Sequence, residues 1–496
     1  MNLATDTRGK FVMRMLRSPQ IIFGYFLLLS SYGLSVLQVS FWSDDYSSVT
    51  DSEGTFRDVL GDGRPIFAWI TRLSFALVQA PEDSWILRLL SFMGLSILYA
   101  LVVSKIESQR RYLPIIIALA FTLPSFQMYI MTAGCWSHIW ACLFGVVSFE
   151  LWGSRSHLIR LAGVVLVAIS LAMYPPASLF IFPMIAVVSV TNERSVKETF
   201  WRLVSCLQLY FLGIILAICG ALISLSILGI NRQERTNIIE LSDIPTKAYW
   251  LITRPITIGF RPYWIDSPSI FLAMITALPL IVLFLDGMRR QSKKLNENFY
   301  VRTSVIGFLV VMALLPIVFS RDNQFEFRIV SGYCWGILVI SLVFAVNSLE
   351  NMKSPKFGIR FKAVSVLTST FLIAVSIISV GRANINYEEL FHRPYVLKTN
   401  FLLSEMKRCR FSSEISVVAP NQPYPTLMRL GVFSVVTDLS HGWVPEANIE
   451  ILANRLNLTQ PFTYFKNRKD FKLANIDANC VIDLEDFRKL LIQAGY

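Results

Sequence analysis

For most of its length the chain is divided into apolar stretches of the size that crosses a bilayer. Runs suited to spanning, at roughly 20 residues each, occupy 21–42, 85–104, 112–131, 138–153, 203–229, 265–287, 303–320, 329–347 and 363–381. A segment without water around it must satisfy its own backbone N–H and C=O groups, so runs like these can only be helices. This restricts residues 1–381 to a polytopic α-helical bundle. Composition excludes a soluble alternative: 54% of the 496 residues are hydrophobic and 16% charged, with a mean hydropathy of +0.52, whereas soluble domains average about 25% charged. The first run is too long for a signal-peptide core and no small-residue cleavage site follows it, so it reads as a retained span.

The stretch 158–190 is ambiguous, because Tyr174-Pro175-Pro176 cuts it into two short apolar halves. Two prolines in a row remove two backbone donors and stop a helix. The segment is either a hairpin of two short spans or one kinked span, and charge decides. With a hairpin, the chain has about 11 transmembrane helices. One set of loops then carries Arg8–Arg17, Lys105–Arg111, Arg155–Arg160, Arg194–Arg202, Arg289–Arg302 and Lys353–Lys362, with roughly twice as many basic residues as the opposite set. The positive-inside rule places the richer set, and the N-terminus, in the cytoplasm. The formal charge of +12 is thus that of loops facing anionic lipid, with no basic block suited to nucleic acid.

The external loop 43–84 contains an apolar stretch, 64–80, that carries Arg64 and Arg72. Counting it as a span would invert every later loop. It reads as a helix in the outer interface, opened by Pro65, with Trp69 and Phe75 at headgroup level. Beyond residue 381 the apolar runs become short. Residues 382–496 read as a small C-terminal α/β domain on the same outer side, with strands at 414–419 and 432–437 and helices at 446–456 and 484–494. Seven cysteines show no metal-ligand spacing, and 477–486 lacks the turn glycine of a calcium loop, so no metal is expected. Cys135, Cys142, Cys206, Cys219 and Cys334 lie in or beside apolar segments and read as packing residues. Cys409 and Cys480 share the tail, and an oxidising exterior predicts that they pair.

Asp44 and Asp45 follow directly on the first apolar run. Adjacent carboxylates there are either solvated stop signals or part of a site. The outer face also gathers Tyr46, Arg64, the loop 231–264 with Lys247, Arg254 and Arg261 among aromatics, and Arg321 and Arg328 in a short loop. Carboxylates beside cations and aromatics at headgroup level suit sugar transfer from a lipid phosphate. A carboxylate takes the acceptor's proton, and Arg and Lys stabilise the departing phosphate. A polyprenyl phosphate is already a fair leaving group, so neither cofactor nor metal is demanded. Arg88 reads as snorkelling to the outer interface, and His138 as a satisfied interfacial histidine.

A first span followed by Ser43-Asp44-Asp45-Tyr46, with Gly63-Arg64-Pro65 some twenty residues on, resembles the serotype-converting O-antigen glucosyltransferases of enteric bacteria and their phages, which are similar to the GT-C superfamily. The resemblance implies a GT-C-like bundle in the bacterial inner membrane with a periplasmic tail. It implies transfer of glucose from undecaprenyl phosphate to O-antigen, with membrane lipids as surroundings. A small flippase and a cytoplasmic polyprenyl-phosphate glucosyltransferase would be the functional partners. It favours Asp44 as base and Asp45 as its orienting neighbour. The other readings are an O-antigen polymerase or related assembly protein, which needs no Asp pair, and a lipid-linked sugar flippase, which would carry mid-membrane charge or repeated halves.

Overall fold

A computed structural model of the chain describes residues 18–40, 43–78, 80–106, 111–232, 239–253, 258, 270–321, 327–351, 361–419, 444–456, 458, 460–465, 470–471 and 480–494. Proline sets several helix starts, since its missing N–H falls where no intrahelical partner exists: α1 (Pro19–Leu37), and, after α2 (Ser43–Thr50) and α3 (Ser52–Gly61), α4 (Pro65–Leu77). There follow α5 (Trp85–Ser104), α6 (Leu113–Phe121), α7 (Pro124–Met131), α8 (Trp136–Trp152) and α9 (His157–Met173). A short turn α10 (Pro175–Ser178) leads to α11 (Ile181–Thr191) and the 33-residue α12 (Val196–Leu228). In α12, Ser195 accepts the N–H of Glu198 to cap the start, and Gly229 ends the helix at φ 63°.

Seven described helices are long and apolar enough to cross a membrane, or eight if the bent pair α6–α7 counts as one. The expected single span 112–131 is this pair, broken by 63° at Thr122-Leu123 ahead of Pro124. The later helices are α13 (Ile244–Leu251), α14 (Ile270–Leu295), α15 (Phe299–Val311), α16 (Leu315–Phe319), α17 (Ser331–Asn351) and α18 (Phe361–Tyr387). Within the span from Arg328 to Leu349, most of it α17, every residue from Val330 to Val346 is buried, whereas α12 turns Phe211, Leu222, Ile223 and Ile227 outward. An apolar surface of this kind needs lipid to cover it.

The bundle has two recognisable ends. At one, Lys105 pairs with Glu150 (2.5 Å), Asn192 donates to the Lys105 carbonyl (3.2 Å), Lys294 pairs with Glu193 (2.5 Å), and Arg302 pairs with Glu297 (2.6 Å). Residues 150 and 192 thus meet through Lys105, so the segment between them runs away and returns, turning at Tyr174-Pro175. Four loops assigned to one side by their charge are joined there. The number of crossings established by helix length remains seven or eight, short of eleven: α9 and α11 have only 17 and 11 residues, and α14, at the expected span 265–287, is not among those counted.

The expected interfacial helix is α4. Trp69, Leu73 and Leu77 are exposed along one stripe, but Phe75 is buried with Val78, Leu87, Ala133 and Tyr395. Its expected place at headgroup level is therefore overturned: 75 falls on the opposite face of α4 from 69, 73 and 77. No linker precedes the tail. Helix α18 passes through a π-turn at 388–392 into α19 (Arg393–Arg408). The helical run Val366–Arg408 has 43 residues, about 65 Å at 1.5 Å per residue, twice the thickness of the hydrocarbon core. Its polar last third therefore projects beyond the apolar slab.

The tail is a parallel sheet in the order β2-β1-β3: β1 (Ile415–Val418), β2 (Phe462–Phe465) and β3 (Cys480–Asp483), with α20 (Val444–Leu456) between β1 and β2, and α21 (Leu484–Gln493) after β3. Every residue of β1 is buried, as befits a central parallel strand covered on both faces. Its core joins Leu402 and Met406 of α19 to Ile449, Leu452, Phe487 and Leu491. The expected strand at 432–437 lies outside the described residues.

Cys409 and Cys480 form a disulfide that ties the end of α19 to β3, with a sequence separation of 71. Cross-linking a loop of that length stabilises a fold by about 4 kcal/mol in the chain-entropy model. Cys480→Ser is accordingly expected to lower the melting midpoint of the tail, followed by trypsin resistance. Peptide mapping of the non-reduced protein should recover the 409–480 link.

Candidate functional site

The site is built where the chain leaves α1. Helix α2 carries Ser43-Asp44-Asp45-Tyr46, and Asp45 is 1% exposed, its Oδ1 accepting the N–H of Gly134 at 2.7 Å. Gly134 lies in a single 3-10 turn, Ala133–Cys135, between α7 and α8. A Cβ at position 134 would stand 2.9 Å from that oxygen, inside van der Waals contact, so the approach requires glycine. Asp44 and Tyr46 belong to the same helix, but their side chains lie outside the described set.

Two buried cations, Arg88 and Lys398, lie within electrostatic reach of Asp45. Arg88 does not snorkel. It is fully buried, with Nη1 donating to Ser40 Oγ (2.7 Å) and Tyr387 Oη (3.3 Å) and Nη2 donating to Ser84 Oγ (2.9 Å). One guanidinium thus gathers the chain after α1, the start of α5 and the end of α18. For the two terminal nitrogens this polar ring replaces the water that a snorkelling arginine would seek, while Nε has no hydrogen-bond partner among the described residues. Lys398 comes from α19, in the part of that helix beyond the apolar slab. Burial pulls its ammonium down from 10.5 to about 7, against the opposing pull of Asp45.

The cations expected from sequence divide into two groups. Arg328 Nη1 donates to Cys135 Sγ (3.2 Å), and its carbonyl accepts from Tyr129 Oη (2.5 Å). Arg64 pairs with Asp62 and lies 5.5 Å over the Phe67 ring, which meets His138 edge-on at 5.1 Å. Gly63, at φ +75°, makes the turn that begins α4 at Pro65. The segment 129–138 therefore brings Asp45, Arg328 and Arg64 into one neighbourhood. Lys247 and Arg321 are found in other company. Lys247 is buried against Trp250, 4.6 Å from the ring centroid, and Arg321 pairs with Glu240 at 3.1 Å. Arg254 and Arg261 lie outside the described residues.

Three further expectations change. His138 is not a satisfied interfacial residue. It is fully buried, with its ring centroid 3.9 Å from that of Tyr174 and the planes tilted by 41°, and neither ring nitrogen has a hydrogen-bond partner among the described residues. Cys219 is exposed, because the apolar surface of α12 faces outward. Cys135 is an acceptor for Arg328 as well as a packing group. Gly134, Arg88 and Lys398 were missed as site residues. Gly134 offers only a small-residue break between two apolar runs, and Lys398 lies some 350 residues from Asp45 in a polar helix.

No family model, curated protein or solved structure matches this chain. The chemistry must be argued from the arrangement itself: a buried carboxylate fixed by a backbone amide and flanked by cations, at the end of the bundle where the tail packs. There Arg455 of α20 pairs with Glu82 (2.6 Å), and His392 Nδ1 meets the Val39 carbonyl (3.0 Å).

Between pH 7 and the usual lysine value, the unfolded chain keeps a proton at Lys398 that the folded chain has released, so this group makes stability rise with pH. The melting midpoint of the wild type should climb relative to Lys398→Met between about pH 7 and 9, with a slope of at most about 1.4 kcal/mol per pH unit. Parallel profiles for the two proteins would show that Lys398 does not titrate in that window.

Proposed function

We propose that this protein is an inverting glycosyltransferase of the bacterial inner membrane, moving a sugar, glucose by the family resemblance, from undecaprenyl phosphate to O-antigen on the periplasmic face. The observation that carries the reading is the seating of Asp45 on the Gly134 amide, beside a turn that also touches Arg328 and the Phe67–His138 pair. A carboxylate serving only as a solvated stop signal has no reason to be 1% exposed and locked by the backbone of a second helix pair.

On this reading the two acids divide the work. Asp45 is anchored and fixes the pitch of α2. Position 44 stands about 100° round the same helix and supplies the base. It removes the proton from an acceptor hydroxyl as that oxygen bonds to the anomeric carbon, and the carbon–oxygen bond to the lipid phosphate breaks with inversion. The electron pair leaves on the phosphate, where Arg328 and Arg64 offset the charge that develops. The N-terminus is then cytoplasmic and the tail periplasmic. A small flippase and a cytoplasmic polyprenyl-phosphate glucosyltransferase would supply the donor.

Transfer of radiolabelled sugar from synthetic undecaprenyl-phosphate glucose to O-antigen, in membranes containing each variant, tests the mechanism. Asp44→Asn should cost at least about a hundredfold in rate, the scale of a lost general base, with insertion and melting unchanged. Full activity in both Asp44→Asn and Asp45→Asn would rule the mechanism out. Gly134→Ala should displace the Asp45 carboxylate and lower the transfer rate by about tenfold or more, since misplacement of about 1 Å can cost a hundredfold. An unchanged rate would show that the Gly134 contact does not position the site.

A further inference from the structure

The tail contains a second concave site, away from the Asp45 cluster. Helix α20 and β2, an outermost strand among those described, border an open cleft of about 400 Å³ lined by Glu450, Asn454, Leu458, Gln460, Phe462 and Tyr464. That volume is within the roughly 300–1,000 Å³ of small-molecule sites. The lining follows from simple periodicities. Glu450 and Asn454 are four apart on α20 and share a face. Phe462 and Tyr464 alternate with Thr463 along β2, so both rings stand on one side of the sheet, while Thr463 is occupied with Glu414 on the other (2.8 Å). Gln460 Nε2 is spent on the Arg410 carbonyl (2.7 Å), whereas its Oε1 is buried without a hydrogen-bond partner among the described residues.

The lining selects a chemistry. Two half-buried aromatic rings offer flat apolar surface, and a carboxylate and two carboxamides offer planar hydrogen-bonding edges. No lysine or arginine is among the described lining residues, so those side chains offer a phosphate or a lipid headgroup no cation. A neutral ligand with one apolar face and a rim of hydroxyls satisfies both kinds of surface at once, and that is a sugar ring. Placement adds to this. Ile451, one residue beyond Glu450, packs in the same cluster as Val49 of α2, and Arg455 of the same helix holds Glu82. The cleft and the helix of the Asp pair are therefore separated by little more than the width of α20, about 10–12 Å.

We propose that this cleft binds a saccharide unit of the acceptor chain, holding it while a neighbouring unit is presented to the Asp pair. The proposal rests on the glycosyltransferase reading for the identity of the polymer, but the cleft's taste for sugar can be measured without any transfer.

Saturation-transfer NMR on the full chain in nanodiscs would use the methyl glycosides of rhamnose, galactose, glucose and N-acetylglucosamine as probes. At least one glycoside should receive saturation in the wild type and in Asp45→Asn. Its affinity should fall about tenfold or more in Glu450→Gln/Asn454→Ala, the loss expected from removed hydrogen bonds to a charged and a neutral group. Both substituted residues are exposed, so folding is spared; Tyr464→Ala gives a second variant that removes a stacking ring. No transfer to any glycoside would overturn the proposal, as would binding unchanged in both variants, or capture at the β2 edge of an extended peptide that displaces the sugar. A chain inert as a transferase that still binds glycosides through these side chains would sink the catalytic reading alone. A working transferase with no such binding would sink the cleft alone.

Discussion

A fully buried arginine holds together the end of the bundle where the tail packs. Arg88 cannot reach water, and the cost of leaving its charge unsatisfied in an apolar surrounding runs to several kcal/mol. It is retained because hydroxyls from three stretches of chain, Ser40, Ser84 and Tyr387, converge on its guanidinium, and because the Asp45 carboxylate lies within reach of its field. Removing it would leave the carboxylate with less to balance it, and three helix ends with less to hold them in register. The position of α2, and therefore of both acids, follows from that convergence.

The second constraint is rigidity between membrane part and tail. A flexible linker would let a tail domain drift by tens of ångströms. Here a helical rod continues from α18 through one π-turn into α19, whose far end is part of the tail's own core and is joined to β3 through Cys409 and Cys480. Along that rod sits Lys398, within the electrostatic reach of Asp45. The tail thus contributes a titratable amine to the neighbourhood of the Asp pair, and α20 closes over α2 from the same side. A domain that reads in sequence as an appendage is, in three dimensions, one wall of the candidate site.

The turn at 133–135 has a similar economy. Its glycine admits the Asp45 oxygen, its cysteine receives Arg328, and the helix it starts presents His138 to Tyr174 at the tip of the returning segment 157–191. Buried polar groups in such a place restrict the packing to one arrangement, since each alternative leaves an unpaired donor or acceptor.

How much of this was legible in the sequence depends on the range of the interaction. Apolar runs of spanning length and the Pro65 helix start are local, and they came through. So did the break at Tyr174-Pro175 and the β1, α20 and α21 elements, because proline geometry and periodicity act over a few residues. The bend in 112–131 was missed, although Pro124 marks it, because the hydrophobicity of the run masks the break. The Cys409–Cys480 link came from counting polar-tail cysteines on the side expected to be oxidising. Tertiary structure alone decided which of the expected cations come near Asp45: Arg328 does, through a turn that composition does not distinguish, and Arg64 reaches the same segment through Phe67 and His138, while Arg321 is engaged by Glu240. It also decided that Arg88 is buried, that Phe75 faces inward, and that Lys398 comes within the electrostatic reach of an acid 353 positions earlier. Long-range pairing of charges depends on where helices end in space, and a linear pattern of residues records the length of each helix but not the company its ends keep.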